Sequence, residues 1–102
     1  MNVFLDDTRP CPKGFRMART AKACMRFIAR HKIKVLSLDH DLGYEKPTGY
    51  DVAKYIVRTK RFADKIIIHS ANPIGSVRMF MLLSKHKPKH VKIEVKPRPY
   101  RL

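Results

Sequence analysis

Acidic residues are scarce in this chain, and half of them lie in two tight groups. The 102 residues include 23 Lys and Arg but only eight Asp and Glu, for a formal net charge of +15. Asp6 and Asp7 directly follow one short apolar run, and Asp39 and Asp41 directly follow another. Apolar runs of this length are typical of buried strands in a parallel sheet, whose carboxyl ends meet at one edge. The pattern therefore favours an α/β fold with acidic side chains gathered at that edge.

Four segments have strand character, and three helix-length stretches separate them. The predicted strands span residues 2–6, 33–39, 65–70 and 91–96. The βαβαβαβ alternation predicts a small four-stranded, mostly parallel sheet with three helices, in a single domain over residues 1–102. Because the strand at 65–70 is apolar without alternation, we expect it to be covered on both faces, whereas the alternating strand at 91–96 should lie at an edge.

Polar caps mark where the helices begin. Thr20 caps a first helix that runs to about His31, and a Thr48–Asp51 capping box and an Asn72-Pro73 pair open the other two. The predicted core residues of the first helix are Ala21, Cys24, Met25 and Ile28, and those of the third are Ile74, Val77, Phe80 and Met81.

The handedness of strand crossovers limits how the strands are arranged. In the order 1-2-3-4, numbered along the chain, right-handed crossovers place all three helices on one face of the sheet and leave the other bare. The order 2-1-3-4 places helices on both faces and puts the strand at 2–6 in the middle. We therefore expect 2-1-3-4, with a topological switch point beside the first strand.

Carboxylates that meet at one point repel each other unless a cation lies between them. Asp6, Asp7 and Asp39 are therefore the predicted ligands of a hard divalent ion, Mg²⁺ or Mn²⁺, with water completing its coordination. The alternative is that these residues are only turn formers and helix caps, as Asp often is.

Several short strings resemble the receiver domain of two-component signalling. They are Asp6-Asp7, Asp39, Gly49, Ser70-Ala71 and Lys96-Pro97. The interval from Asp7 to Asp39 looks too short for the usual second strand and helix, and the usual terminal helix is missing after Pro97. The resemblance implies a truncated flavodoxin-like or receiver-like fold.

A specialised branch, the cyclic-phosphate processing receiver-like family, is a closer match. The strings that resemble it are 5–12, Arg19-Thr20, 37–43, 48–53 and 69–73. The resemblance implies an activity on cyclic phosphates, at RNA 2′,3′-cyclic ends, on cyclic nucleotides or on ADP-ribose derivatives.

Such a reaction needs proton transfer and phosphate binding. His40 and His69 are the candidate acid and base because imidazole exchanges protons near neutral pH. Asp41, at the same edge, is a further candidate catalytic residue. The candidate phosphate ligands are Arg9, Arg19, Ser70, Asn72 and Lys96, through guanidinium, hydroxyl, helix N-terminus and ammonium contacts. Each histidine is equally suited to orienting an Asp or a loop.

The strong positive charge makes nucleic acid the default partner, with RNA favoured by the resemblance. Lys22, Arg26 and Arg30 are spaced along one face of the first helix and are the candidate contacts. A merely soluble basic surface is the alternative. No leader or long apolar run is visible, so we expect a cytoplasmic protein without a membrane segment.

Three functions remain open on this basis. The first is a metal-dependent phosphoesterase acting on a cyclic phosphate. The second is a non-enzymatic protein that binds nucleic acid or a partner protein, and the third is a phosphoacceptor modified at Asp39.

Overall fold

A computed structural model of the chain describes residues 1–44 and 46–96. Five strands and three helices alternate along these residues. The strands are β1 (Asn2–Leu5), β2 (Arg16–Ala18), β3 (Val35–Leu38), β4 (Lys65–Ile68) and β5 (Lys92–Val95), and the helices are α1 (Ala21–Arg30), α2 (Gly49–Thr59) and α3 (Pro73–His86). The α/β class, the parallel sheet and the three helices are confirmed.

The sheet has five strands rather than the predicted four. All neighbours pair in parallel in the order β2-β1-β3-β4-β5. The predicted order 2-1-3-4 is therefore wrong, because the segments at 2–6, 33–39, 65–70 and 91–96 follow one another across the sheet in chain order. The three-residue strand β2 was missed, since Arg16-Met17-Ala18 is too short and too polar to show a strand pattern. The switch point beside β1 is confirmed, and β5 lies at an edge as expected.

All three helices lie on one face, so the prediction of helices on both faces is also wrong. The crossovers from β2 to β3, from β3 to β4 and from β4 to β5 run in the same direction, and right-handed crossovers in one direction place their helices on one side. Consistent with this, α1 packs against α2 and α2 against α3. On the other face, Phe4 and Ile67 are buried, and the ring of Phe4 contacts Phe15 edge-on at 6.4 Å.

The helix starts are as predicted. Thr20 and Asn72 cap α1 and α3, each accepting a hydrogen bond from an amide in the first turn. The capping box of Thr48 and Asp51 is formed at the start of α2. In α1, Cys24 and Ile28 face the core, also as predicted.

The buried face of α3 differs from the prediction. Ile74, Val77 and Met81 are 73%, 55% and 65% exposed, and Phe80 is 38% exposed. The buried residues are Gly75, Ser76, Met79 and Leu83. Apolar side chains lie all around this helix, so their spacing does not select a face. Its small residues select the face instead, because a Cβ at position 75 would lie 2.5 Å from the His40 ring.

Both cysteines, Cys11 and Cys24, are free thiols. Among the described residues, no helix has the length and apolar character that crossing a bilayer requires.

Candidate functional site at the carboxyl edge of the sheet

Asp6 lies at the end of β1 and is almost fully buried, with 1% of its surface exposed. The amides of Thr8 and Arg9 donate to its Oδ1 at 3.0 and 2.9 Å, and His69 Nε2 donates to its Oδ2 at 3.0 Å. Burial alone would raise the pKa of Asp6, but the hydrogen bonds from Arg9, Thr8 and His69 outweigh it and hold the pKa below its ordinary value. Asp6 is therefore a fixed negative charge at the switch point of the sheet.

His69, which follows β4, is completely buried beneath this carboxylate. Its ring stacks on Phe4 with centroids 4.6 Å apart, and Ser37 Oγ lies 2.6 Å from its Nδ1. Burial lowers the pKa of His69 to about 4, despite the nearby charge of Asp6. An ionised Asp6 only accepts hydrogen bonds, so the proton of the neutral ring lies on Nε2 and the Ser37 hydroxyl donates to Nδ1. Both ring nitrogens are thus occupied inside the fold.

Asp39, at the end of β3, lies beside Asp6 across the switch point. It is 9% exposed, and the amide of His40 donates to its Oδ1 at 2.8 Å. No other described residue donates a hydrogen bond to this carboxylate. Burial and the negative charge of Asp6 raise the pKa of Asp39 to about 6. Burial and the ionised Asp6 therefore disfavour the ionisation of Asp39 when no cation is present.

His40 forms the rim of the site together with Asp41. His40 Nδ1 lies 2.8 Å from Asp41 Oδ1, and the His40 side chain is 15% exposed. Asp41 is largely exposed and accepts long contacts of 3.4 Å from the Asn72 side chain at the start of α3. Of the two predicted histidines, His40 is the one that reaches the surface.

The loop after β1 is held in place by two arginines. Arg9 donates to the carbonyl oxygen of His69 at 3.0 Å, and its guanidinium lies 3.7 Å from Asp6 Oδ2. Arg19 donates to the carbonyl oxygens of Asp6 and Arg9 at 3.3 and 3.0 Å. Arg9 therefore brings a positive charge to the carboxylates, whereas the described contacts of Arg19 go to the loop backbone.

The other predicted site residues make no hydrogen bond or ion pair with Asp6 or Asp39 among the described contacts. Ser70 is buried and its Oγ accepts from the Asn72 amide at 3.0 Å, so it shapes the turn into α3. Lys96 is exposed and its Nζ lies 3.9 Å from Glu94, while Pro97 is outside the described residues. Asp7 is half-buried and does not belong to the cluster of Asp6 and Asp39.

The residues that could hold a metal ion are Asp6, Asp39 and His69. One ligand atom from each lies within 4.8 Å of the others, the single group of this kind among the described residues. His69 has no free nitrogen in this arrangement, which leaves two carboxylates and water. That set fits a hard divalent ion, because oxygen ligands suit Mg²⁺ and it commonly keeps several waters. Asp7, the predicted third ligand, is not in this compact group, but its charge is among the influences that raise the pKa of Asp39.

Three residues of the site were not predicted. Ser37 donates to Nδ1 of His69 once Asp6 holds the ring proton on Nε2, and its only sequence signal is a polar residue within the apolar run 35–38. Gly49 and Gly75 allow α2 and α3 to approach the site closely, since a Cβ on Gly49 would overlap the Asp39 carbonyl oxygen. Gly49 was noted only for its resemblance to a receiver glycine, and the overlap gives the physical reason for it.

Comparisons with known proteins identify the family. Searches of curated proteins and of solved structures found no match. A family model described as the cyclic-phosphate processing receiver domain matches residues 1–85, which include every element from β1 to most of α3 and all of Asp6, Asp39 and His69. The match covers well over half of the chain. This protein therefore belongs to the cyclic-phosphate processing receiver domain family.

Proposed function

We propose that this protein is a metal-dependent phosphoesterase that opens a cyclic phosphate. The observation that carries the proposal is the buried pair of carboxylates, Asp6 and Asp39, at the switch point of the sheet. Burial and the negative charge of Asp6 raise the pKa of Asp39, and a divalent cation bound between the two carboxylates would favour the ionised form. Mg²⁺ or Mn²⁺ bound there would supply charge neutralisation at the phosphoryl oxygens and a more acidic bound water.

The two histidines have different roles in this proposal. His40 is at the rim, with Nδ1 oriented by Asp41, and exchanges a proton with the leaving or attacking oxygen. His69 is a positioning residue, because it is buried and holds Asp6 through Nε2. We thus assign the acid–base step to His40 and retain His69 for the orientation and ionisation of Asp6.

Phosphate binding is assigned first to Arg9. Its guanidinium is partly exposed beside the carboxylates, and only one of its nitrogens is engaged by the described backbone. The start of α3 at Asn72 adds a helix N-terminus, which attracts anions. Further proposed phosphate contacts are Ser70, Arg19 and Lys96. Each would have to rearrange a hydrogen bond or ion pair that it makes in this structure.

The proposed substrate carries its cyclic phosphate on an RNA end, a nucleotide or an ADP-ribose derivative. The net charge of +15 favours a polyanion, and Lys22, Arg26 and Arg30 are all exposed on α1. We therefore propose RNA as the principal partner.

The decisive experiment measures metal-dependent turnover. Purified protein is incubated with 2′,3′-cyclic mononucleotides, cyclic-ended RNA and ADP-ribose cyclic phosphate, with and without Mg²⁺ or Mn²⁺. We expect turnover that needs the cation and is lost in Asp39→Asn. His86→Ala, which changes an exposed histidine at the far end of α3, is the matched control and should retain full activity. Absence of turnover on all three substrates would refute the enzyme proposal.

A second candidate is a phosphoacceptor at Asp39. It is favoured by the Asp39 carboxylate, which has a single hydrogen-bond donor among the described residues. Incubation with acetyl phosphate and intact-mass measurement tests it, since a stable adduct lost in Asp39→Asn, without turnover of cyclic phosphates, would support this function instead.

A further inference from the structure

Two clefts adjoin at the amino edge of the sheet, away from the carboxylates. One, of about 340 Å³, lies between the end of α1 and the segment after α2. The other, of about 190 Å³, lies along α1 beside Phe27. Arg30 and His31 line both clefts. We call the combined surface the basic groove.

The larger cleft of the groove lies at the far end of α1 from the candidate site. Helix α1 begins after Arg19, which contacts the Asp6 carbonyl, and its cap Thr20, and it ends at Arg30, which lines the groove. The ten residues of α1 rise by about 1.5 Å each, so the helix is about 15 Å long. None of the site residues lines either cleft. The groove is therefore a different surface from the site at Asp6 and Asp39.

Positive side chains dominate this surface. The five full positive charges that line it are Arg26, Arg30, Lys32, Lys60 and Arg61. Among the described residues, the acidic partner of these basic side chains is Asp64. Its carboxylate lies 3.7 Å from Lys32 Nζ. His31 adds a further group that becomes positive when protonated.

Helix dipoles account for only part of this charge. Both α1 and α2 end at the groove, and basic side chains are favoured at helix C-termini. Each C-terminus carries about half a unit of negative charge. Five positive side chains against Asp64 and about one unit from the two helix ends leave about three positive charges unbalanced. This excess gives the groove the positive potential that attracts an anionic ligand.

Lys60 adopts a backbone conformation that is unfavourable for any residue with a side chain. Lys60 ends α2 in the left-handed conformation, with φ 59° and ψ 27°. Glycine is the usual residue there, because a Cβ makes this conformation cost about 1 kcal/mol. The chain nevertheless has lysine rather than glycine at this position, and the Lys60 side chain lines the groove.

Aromatic rings lie between the positive charges. Phe27 and Phe62 are each partly exposed, and His31 is exposed with its ring centroid 6.2 Å from that of Phe27. Alternating basic groups and partly exposed rings suit single-stranded nucleic acid, whose phosphates pair with the charges while its bases stack on the rings. A cleft of about 340 Å³ is also large enough for a small ligand such as one nucleotide.

We propose that the basic groove is a binding site for single-stranded RNA. The proposal rests on the proposed function only for the choice of RNA, and binding does not require turnover. It differs from a simple charged stripe on α1, because Lys22 lines neither cleft while Lys60, Arg61 and Phe62 lie outside α1.

The test is fluorescence anisotropy with a labelled ten-nucleotide oligouridine that has no terminal phosphate, titrated at several salt concentrations. Lys60→Gly should weaken binding by about threefold to tenfold and reduce the slope of log K against log salt by about 0.7, the value for one phosphate contact in a single strand. Phe62→Leu should weaken binding by about fivefold or more and leave the slope unchanged, because stacking is lost but charge is not.

Thermal unfolding separates binding from folding. Lys60→Gly should unfold at the same temperature as wild type or higher, since glycine suits the left-handed backbone. Lys89→Ala, at an exposed lysine that lines neither cleft, is the matched control and should keep wild-type affinity within about twofold. The proposal is overturned if Lys60→Gly and Phe62→Leu both bind as wild type, if Lys89→Ala is as damaging as Lys60→Gly, or if an RNA duplex binds as tightly as the single strand.

Discussion

The two ends of the sheet differ in charge and in how their polar groups are used. At the carboxyl edge, Asp6 and His69 are buried, and each polar side-chain atom of these two residues has a protein partner. At the amino edge, Lys60 and Arg61 are exposed and no acidic partner for either is found among the described residues. A preorganised, buried arrangement suits chemistry at one small group, whereas exposed charges and rings suit a long, flexible polyanion. The difference fits the proposed reaction at one end of this domain and the proposed RNA binding at the other.

The largest expected effect is a loss of turnover with no loss of RNA binding at the basic groove. Asp39→Asn should abolish measurable metal-dependent turnover, and His40→Ala should lower it by about 100-fold or more, since a positioned acid or base contributes that much. Both variants should bind the oligouridine as wild type does. Steady-state kinetics and anisotropy on the same preparations check this, and a parallel loss of RNA binding would contradict the separation of the two ends.

The next effect is on the pH dependence of the unfolding free energy, through the carboxylate pair. The folded pKa of Asp39, about 6, lies above its ordinary value of 3.8, so the folded protein holds this proton more tightly. Its contribution to stability is present below about pH 4 and is lost as pH rises through 6. In metal-free buffer, Asp39→Asn should therefore exceed wild type in unfolding free energy by an amount that grows over this interval, up to about 3 kcal/mol.

Denaturant titration from pH 4 to 7 measures this difference. The lowered pKa of His69 gives the opposite slope, a gain in stability between about pH 4 and 6.5, but both proteins share it and the comparison removes it. Added Mg²⁺ should stabilise wild type and leave Asp39→Asn unchanged. A pH-independent difference between the two proteins would argue against carboxylate repulsion.

A smaller loss is expected from the hydroxyl that supports His69. Ser37→Ala leaves the buried Nδ1 without its donor and should lower the unfolding free energy by about 1–3 kcal/mol. Ser84→Ala, the same chemical change at a half-buried position on α3, is the control and should be nearly neutral. Equal effects of the two substitutions would mean that the Ser37–His69 hydrogen bond contributes little.

The smallest expected effect is on KM, and it tests whether one RNA molecule contacts both the candidate site and the basic groove. Helix α1 extends about 15 Å from the carboxyl edge towards the larger cleft, which corresponds to four or five stacked nucleotides at roughly 3.4 Å each. Arg61→Ala should therefore raise KM for a cyclic-ended RNA of about eight nucleotides by about threefold to tenfold and leave a cyclic mononucleotide unaffected. Kinetics on the two substrates, with Lys89→Ala as control, measure this ratio. An equal change for both substrates would place Arg61 at the reaction site instead.

The helix boundaries and the acidic edge were predictable from the sequence because they depend on local chemistry. Thr20, the Thr48–Asp51 box and Asn72 cap their helices through bonds to residues two or three positions away. Asp6 and Asp39 were expected to meet because parallel strands share an edge, and their side chains do cluster there. The helix caps do not depend on the strand order, and both orders considered, 1-2-3-4 and 2-1-3-4, make the strands that carry Asp6 and Asp39 neighbours.

Helix rotation was not predictable in the same way. Helix α1 has one apolar face and its core residues were correct, whereas α3 is apolar all around. Which face of α3 is buried depends on Gly75, since only a residue without a side chain allows the His40 ring to pack there. The short strand β2 was missed for a related reason: its identity comes from pairing with β1 and not from its own three residues.

What the sequence determined by itself is the alternation of strands and helices, the caps, the excess of positive charge and the placement of acidic residues at strand ends. Each follows from the chemistry of neighbouring residues. The tertiary structure alone decided the strand order, the burial of His69 between Asp6 and Ser37, the exclusion of Asp7 from the cluster, and the joining of α1 with the segment after α2 into the basic groove. These depend on contacts between residues distant in the chain, and local patterns carry no record of which distant residues will meet.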